Sequence, residues 1–333
     1  MNKTNTKQMG EGCSRGASPR IGWIDCSRGI AMLFVILGHC YIGLEDPVNR
    51  FILSFHMPVF FFLSGMCTKT SDGSFRAWTI KKAHSLLIPQ LTLAAIVFVY
   101  AVLSQGFSVT VIVNSLLVWF LPTLYLSLLA FYWLARACGD SIKVWVVVLC
   151  AVGFAAPIAD LLNIAVCPIY PETVLAGLFF FCLGHVWQLL DCKVSIGKPA
   201  KRVVIVLLAL VLFALSQLNV PIAMYEGEFG FWPLFYFTAL IGTVWVCLLG
   251  RLLEGVSFFT WFGQVSVIAF VLHFRLISLL RAVTVRVLPL AGIYLDSNGM
   301  ALLLFILAMA ILIPLVDFCE KHVGFLFGKE KLK

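Results

Sequence analysis

Apolar residues fill this chain in long, nearly unbroken runs, and the polar residues between them come in short clusters. About 20 apolar residues are enough for a helix to cross the ~30 Å hydrocarbon core of a bilayer. Ten such runs predict ten spanning helices, at about 23–43, 51–67, 85–104, 117–137, 144–163, 174–190, 203–220, 233–250, 260–280 and 299–317. The chain therefore reads as an all-α, polytopic membrane protein. Residues 1–22 are expected to be a disordered polar tail without the apolar core of a signal peptide, 23–320 the membrane domain, and 321–333 a basic tail. The stretch 107–118 either extends the fourth helix or lies at the membrane surface.

Charge orients this pattern. With the N-terminus inside, the loops on that side carry Lys69, Arg76, Lys81, Lys82, Arg136, Lys143, Lys201, Arg202 and Arg251, and the C-terminal tail adds four lysines. The opposite loops carry Glu45, Asp46, Arg50, Glu172, Glu226, Glu228 and Asp296. Basic loops stay on the cytoplasmic side, so both termini are expected in the cytoplasm and the protein in the inner (plasma) membrane. The exceptions are Arg275, Arg281 and Arg286 near the outer end of the ninth run, which either snorkel to headgroups or hold an anionic acceptor.

Composition supports the same class. The chain is 61% hydrophobic and only 12% charged, where a soluble domain has about 25% charged residues. The net charge of +8 does not indicate a nucleic-acid partner, because the basic residues orient loops. Eleven cysteines show no C-x-x-C pair and lie mostly in apolar runs, so neither a disulfide framework nor a metal site is expected. Phosphate-loop, dinucleotide, zinc-protease and serine-elbow motifs do not occur.

The chemistry lies inside the first two runs. Asp25, Arg28, His39 and His56 are ionisable residues in otherwise apolar sequence, and such residues usually face a protein interior or a water-filled cavity. Arg28 and His39 are eleven residues apart, which on a helix places them within about 20° of one direction and ~16 Å apart. Asp25 can pair with Arg28 at i, i+3. Gly29 and Gly38 beside them allow close approach of another backbone or a ligand. A histidine with its ordinary pKa of ~6.5 suits proton removal near neutral pH, and a guanidinium suits phosphate.

Asp25-x-x-Arg28-Gly29, then Gly38-His39, then Phe55-His56-Met57-Pro58-Val59-Phe60-Phe61-Phe62-Leu63-Ser64-Gly65 resemble the opening of the membrane-bound acyltransferase family 3 proteins. The His-Met-Pro form is most similar to the fucose 4-O-acetylase-like branch. The resemblance implies transfer of an acetyl group from acetyl-CoA to a hydroxyl of a sugar or lipid-linked glycan precursor, without a metal. It implies His39 as base and Arg28 as donor-positioning residue, with Asp25 orienting Arg28. His56 reads equally as an acceptor-orienting residue or as the packing residue of a Met57-Pro58 kink. The basic run before the third span resembles the family's, but the two positions preceding Leu-Leu-Ile-Pro are His84 and Ser85, so Lys81 and Lys82 are expected to supply its charge, and with His84 they are the candidates for donor binding beside Arg28. Trp119, Ser266, His273 and Arg275 are the candidates for acceptor contact. The expected mechanism requires a polar seam joining Arg28 to His39. A transporter or flippase using the same intramembrane charges is the alternative.

Overall fold

The structure is a computed structural model that describes residues 21–70, 74–106, 118–163, 169–190 and 197–329. Residues 107–117, most of the stretch left open by the sequence, lie outside the described residues. The described residues are helical, and the only pairing of extended backbone among them is an isolated bridge between Ala223 and Glu228. Ten spans are long and apolar enough to cross a membrane, in the order that the apolar runs predict.

The helix order is α1 (Gly22–Cys40), α2 (Pro47–Leu53), α3 (His56–Cys67), α4 (Phe75–Gln105), α5 (Phe120–Cys138) and α6 (Ile142–Leu161). Then follow α7 (Pro171–Leu189), α8 (Lys198–Ser216), α9 (Trp232–Leu253), α10 (Ser257–Gln264), α11 (Ser266–Leu290) and α12 (Ser297–Val323).

The first helix is the hub. It packs against α3, α9, α10, α11 and α12. Lipid tails are as apolar as leucine, so helix association in a bilayer depends on close packing rather than on the hydrophobic effect. The glycines serve that packing. A Cβ on Gly29 would stand 2.1 Å from the Phe259 carbonyl oxygen, and one on Gly263 would stand 1.8 Å from the Asp25 carbonyl oxygen. Helices α1 and α10 therefore touch backbone to backbone at the turn that carries Asp25 and Arg28.

Two spans are broken, and both breaks fall at the site. The second span divides at Ser54–Phe55 into α2 and α3. Pro58 lacks an N–H, so the carbonyl four residues earlier, at Ser54, loses its helical donor. Side chains compensate nearby: Ser54 Oγ donates to the Phe51 carbonyl (2.8 Å) and His56 Nδ1 to the Ile52 carbonyl (2.9 Å). The run predicted at 260–280 is divided at Val265, giving α10 and an α11 that continues to Leu290.

Several helices run past the ends of their apolar runs, because a polar end can continue a helix. Helix α4 starts ten residues early, capped by Ser74 Oγ accepting from the Ala77 N–H. The basic run is thus the first turns of a helix, not a loop. At the other terminus α12 continues through Lys321 to Val323, and a 3-10 turn, Gly324–Phe327, packs on α4 through Thr92 Oγ1 donating to the Leu326 carbonyl (2.6 Å).

Candidate active site

A cavity of about 930 Å³ opens at the N-terminal end of α1. Four basic side chains line it, Arg28, Lys69, Lys81 and Lys82, against one carboxylate, Asp25. Because α4 is helical there, Ala77, Trp78, Lys81 and Lys82 fall on one stripe facing the cavity. The Lys82 ammonium stands 6.0 Å from the Trp78 ring centre, and Trp78 Nε1 donates to the Lys69 carbonyl (3.1 Å), which ties the three residues together. Deeper in, the wall turns apolar with Leu121, Leu124, Val267, Phe120 and Phe270.

Asp25 is buried and does not neutralise Arg28 alone. Its Oδ1 accepts from Arg28 Nη1 (3.2 Å) while Oδ2 faces Gln264 Nε2 at 3.4 Å. The carboxylate is shared between a guanidinium and an amide, leaving the other Arg28 N–H groups for a ligand. Gln264, at the break before α11, is a cavity residue that the sequence reading missed. Its one signal was a lone amide two positions before Ser266 in apolar sequence. Ser266 itself begins α11 and lines the cavity, as does Ser64 of α3.

His39 is at the other end of α1 and does not line this cavity. Its exposed ring lies 5.1 Å from the His273 ring and 5.2 Å from the Phe274 ring, centre to centre. His56 bonds through Nδ1 to the Ile52 carbonyl, and the Ile52 side chain packs 3.2 Å from where a Cβ on Gly38 would stand, so His56 sits beside the same turn of α1. Three histidines from α1, α3 and α11 therefore converge, a grouping invisible to a scan along the chain.

Hydrogen bonds fix which ring nitrogen of two of them is basic. His273 Nδ1 faces the Phe270 carbonyl (2.7 Å) and His56 Nδ1 the Ile52 carbonyl (2.9 Å). A carbonyl only accepts, so Nδ1 carries the proton and Nε2 the lone pair in each neutral ring. His273 Nε2 is buried and has no partner among the described residues. The His39 ring has no hydrogen bond among them.

Between cavity and histidines stands an aromatic partition. Phe120 and Phe270 pack at 5.0 Å and both line the cavity, while Phe270 lies 5.6 Å from the His273 ring on its other side. The continuous polar seam expected from the sequence is interrupted at this pair. Residue spacing sets the distance between Arg28 and His39 along α1 but carries no trace of the rings that α5 and α11 bring between them.

Three other candidates are placed elsewhere. His84 is exposed and does not line the cavity; its turn of α4 is covered at Gly328 by the C-terminal 3-10 segment. Trp119 precedes α5 and packs on Phe120 outside the lining. Arg275 stacks on Tyr100 and Phe274, 4.6 and 5.2 Å from the ring centres, and does not line the cavity.

Arg281, not Arg275, reaches the end of α1. Its Nη2 donates to the carbonyls of His39 (2.6 Å) and Tyr41 (3.1 Å). The last carbonyls of a helix lack intrahelical partners and carry partial negative charge, so a guanidinium there satisfies both needs. Tyr41 closes the same corner through its hydroxyl, which donates to Asn298 Oδ1 (3.0 Å). Burial, aided by the Asp46 carboxylate, raises the phenol pKa and keeps that donor protonated.

A family model described as an acyltransferase domain matches residues 21–317, from the first turn of α1 nearly to the end of α12. The chain belongs to the acyltransferase 3 family. It is a multi-pass membrane acyltransferase, and the cavity and the histidine group are the two halves of its candidate active site. No curated protein and no solved structure matches the chain.

Proposed function

We propose that this acyltransferase moves an acetyl group from acetyl-CoA to a hydroxyl of a sugar or envelope glycan precursor, as in the fucose 4-O-acetylase-like branch. The observation that carries the reading is the cavity: cationic at its mouth, apolar at its far end, and ending one ring away from a histidine group. That sequence of surfaces suits a ligand with phosphates at one end and a thioester on a slender arm at the other. Arg28, Lys69, Lys81 and Lys82 hold the phosphates, and the arm runs along α1 toward Phe120 and Phe270.

For the thioester to reach His39, the Phe120–Phe270 pair must part and complete the seam; with it parted, His39 acts as the base. The acceptor hydroxyl gives its proton to the imidazole as its oxygen attacks the thioester carbonyl. The new C–O bond forms, the C–S bond breaks, and the imidazolium returns the proton to the departing thiolate. His273, with Nε2 unpartnered, orients the acceptor hydroxyl or shares the proton; His56 secures the helix break beside them. The bias of basic residues supports a cavity mouth on the cytoplasmic side of an inner membrane, where acetyl-CoA is made, with the histidines in the outer half. Family membership favours this reading over a transporter. Purified protein given acetyl-labelled acetyl-CoA should release free CoA and pass label to extracted envelope glycans. Substrate flux driven by a gradient, with acetyl-CoA left intact, would refute the assignment.

A further inference from the structure

At the histidine end of the molecule, α11 forms a recess of about 350 Å³ lined by Ser278, Arg281, Ala282, Val285 and Arg286. No carboxylate pairs with either arginine among the described residues. Arg281 is held in place by the carbonyls of His39 and Tyr41, and its Nε is buried without a partner among the described residues. Ser278 spends its hydroxyl proton on the Phe274 carbonyl (2.8 Å), so the recess is dominated by two positive charges. Helix carbonyls meet only one nitrogen of Arg281 among the described residues, and two guanidiniums without a carboxylate at the edge of a low-dielectric body call for an anion. The same Arg281 touches the residue proposed as base, so an anion bound there lies within a few atoms of His39.

We propose that this recess is a phosphate subsite, and that the acceptor is a hydroxyl compound carrying a phosphate, gripped by Arg281 and Arg286 beside His39. This rests on the acetyl-transfer reading given above and adds the class of acceptor to it. The site divides the work between its ends: one set of cations takes the donor at the N-terminal end of α1, and a second takes the acceptor at the C-terminal end. Arg281 therefore both positions the backbone of His39 and binds substrate.

The test is a binding measurement in a phosphate-free maltoside detergent, read as the shift in the thermal unfolding midpoint. The probes are a polyprenyl phosphate, the corresponding polyprenol, glucose 1-phosphate, glucose, and phosphatidylglycerol. The polyprenyl phosphate, glucose 1-phosphate or both should stabilise the protein, and their relative affinities tell a lipid-borne from a free acceptor; polyprenol and glucose should not. Arg286→Gln removes an exposed side chain and should weaken the response by about tenfold or more, the loss of one charge-assisted bond. Arg281→Gln should abolish it. Stabilisation by phosphatidylglycerol alone would reduce the recess to a headgroup contact and overturn the proposal. So would an unchanged response in Arg286→Gln, or no response to any phosphate. Acetyl-CoA binding in the same preparation, dependent on Arg28 and Lys81 and indifferent to Arg286, reports on the donor reading separately.

Discussion

His39 and Arg28 share α1, and the proposed reaction gives them separate tasks, proton removal and donor binding. Their separation of three turns is set by sequence alone, yet what each does depends on neighbours that sequence distance conceals. Arg28 shares Asp25 with Gln264 and points into the cavity; His39 meets His273 from α11. Replacing His39 with Gln should lower transfer by about 10²- to 10⁴-fold, the usual contribution of a general base, with acetyl-CoA affinity unchanged. If His273 works on the same proton, the His39→Gln/His273→Gln double variant should be no slower than His39→Gln alone. Multiplicative losses, measured as kcat in the three variants, would separate the two rings into independent roles. Asp25 and Arg28 were legible as cavity residues because charged groups in apolar runs have few other places to go; Ser266, expected at the acceptor, instead lines the cationic cavity beside them. His84, Trp119 and Arg275 were not correctly placed. Similarity to a motif gives a residue type, but the direction a side chain takes depends on which helices surround it. Phe120 and Phe270 carried no signal at all, since a phenylalanine at a constriction is indistinguishable in sequence from one in a core.

Helix breaks and glycine contacts set the site at the level of elements. The α2–α3 break brings His56 toward the group, and the α10–α11 break delivers Gln264 and Ser266 to the cavity wall. Pro58 signals a kink, though the sequence pattern gives one span over 51–67, and the break at Val265 has no proline to mark it. Gly263 against Asp25 and Gly29 against Phe259 hold α10 on α1. Gly263→Ala forces its methyl group into the Asp25 carbonyl, so it should cost about 1–3 kcal/mol or more, as overpacking does. Thermal unfolding checks the stability. Acetyl-CoA affinity should fall with it, because the same contact positions the Asp25–Arg28 pair. The partition between α5 and α11 is the second element-scale prediction. Phe270→Trp should thicken it, lowering kcat by an order of magnitude through misplacement of the reacting groups while the donor KM stays within about twofold. A rise in KM with kcat unchanged would place Phe270 in donor binding instead.

For the whole molecule, ten spans were legible because apolar length is a strong and local signal. The meeting of α1 with α11 was not, since some 230 residues of chain separate His39 from His273 and nothing along the chain encodes their approach. What the assembled bundle adds is polarity of function: a cationic cavity at one end of α1, a histidine group and a cationic recess at the other, and a two-ring partition between them. The central claim is that donor binding and proton removal occupy these opposite ends. It is tested most directly by measuring acetyl-CoA affinity and label transfer to envelope glycans side by side for Arg28→Gln and His39→Gln. Arg28→Gln should bind acetyl-CoA at least about tenfold more weakly, while His39→Gln should bind it as the unaltered protein does and transfer almost none. Transfer at the unaltered rate by His39→Gln, or equal loss of acetyl-CoA binding in both variants, would contradict the account.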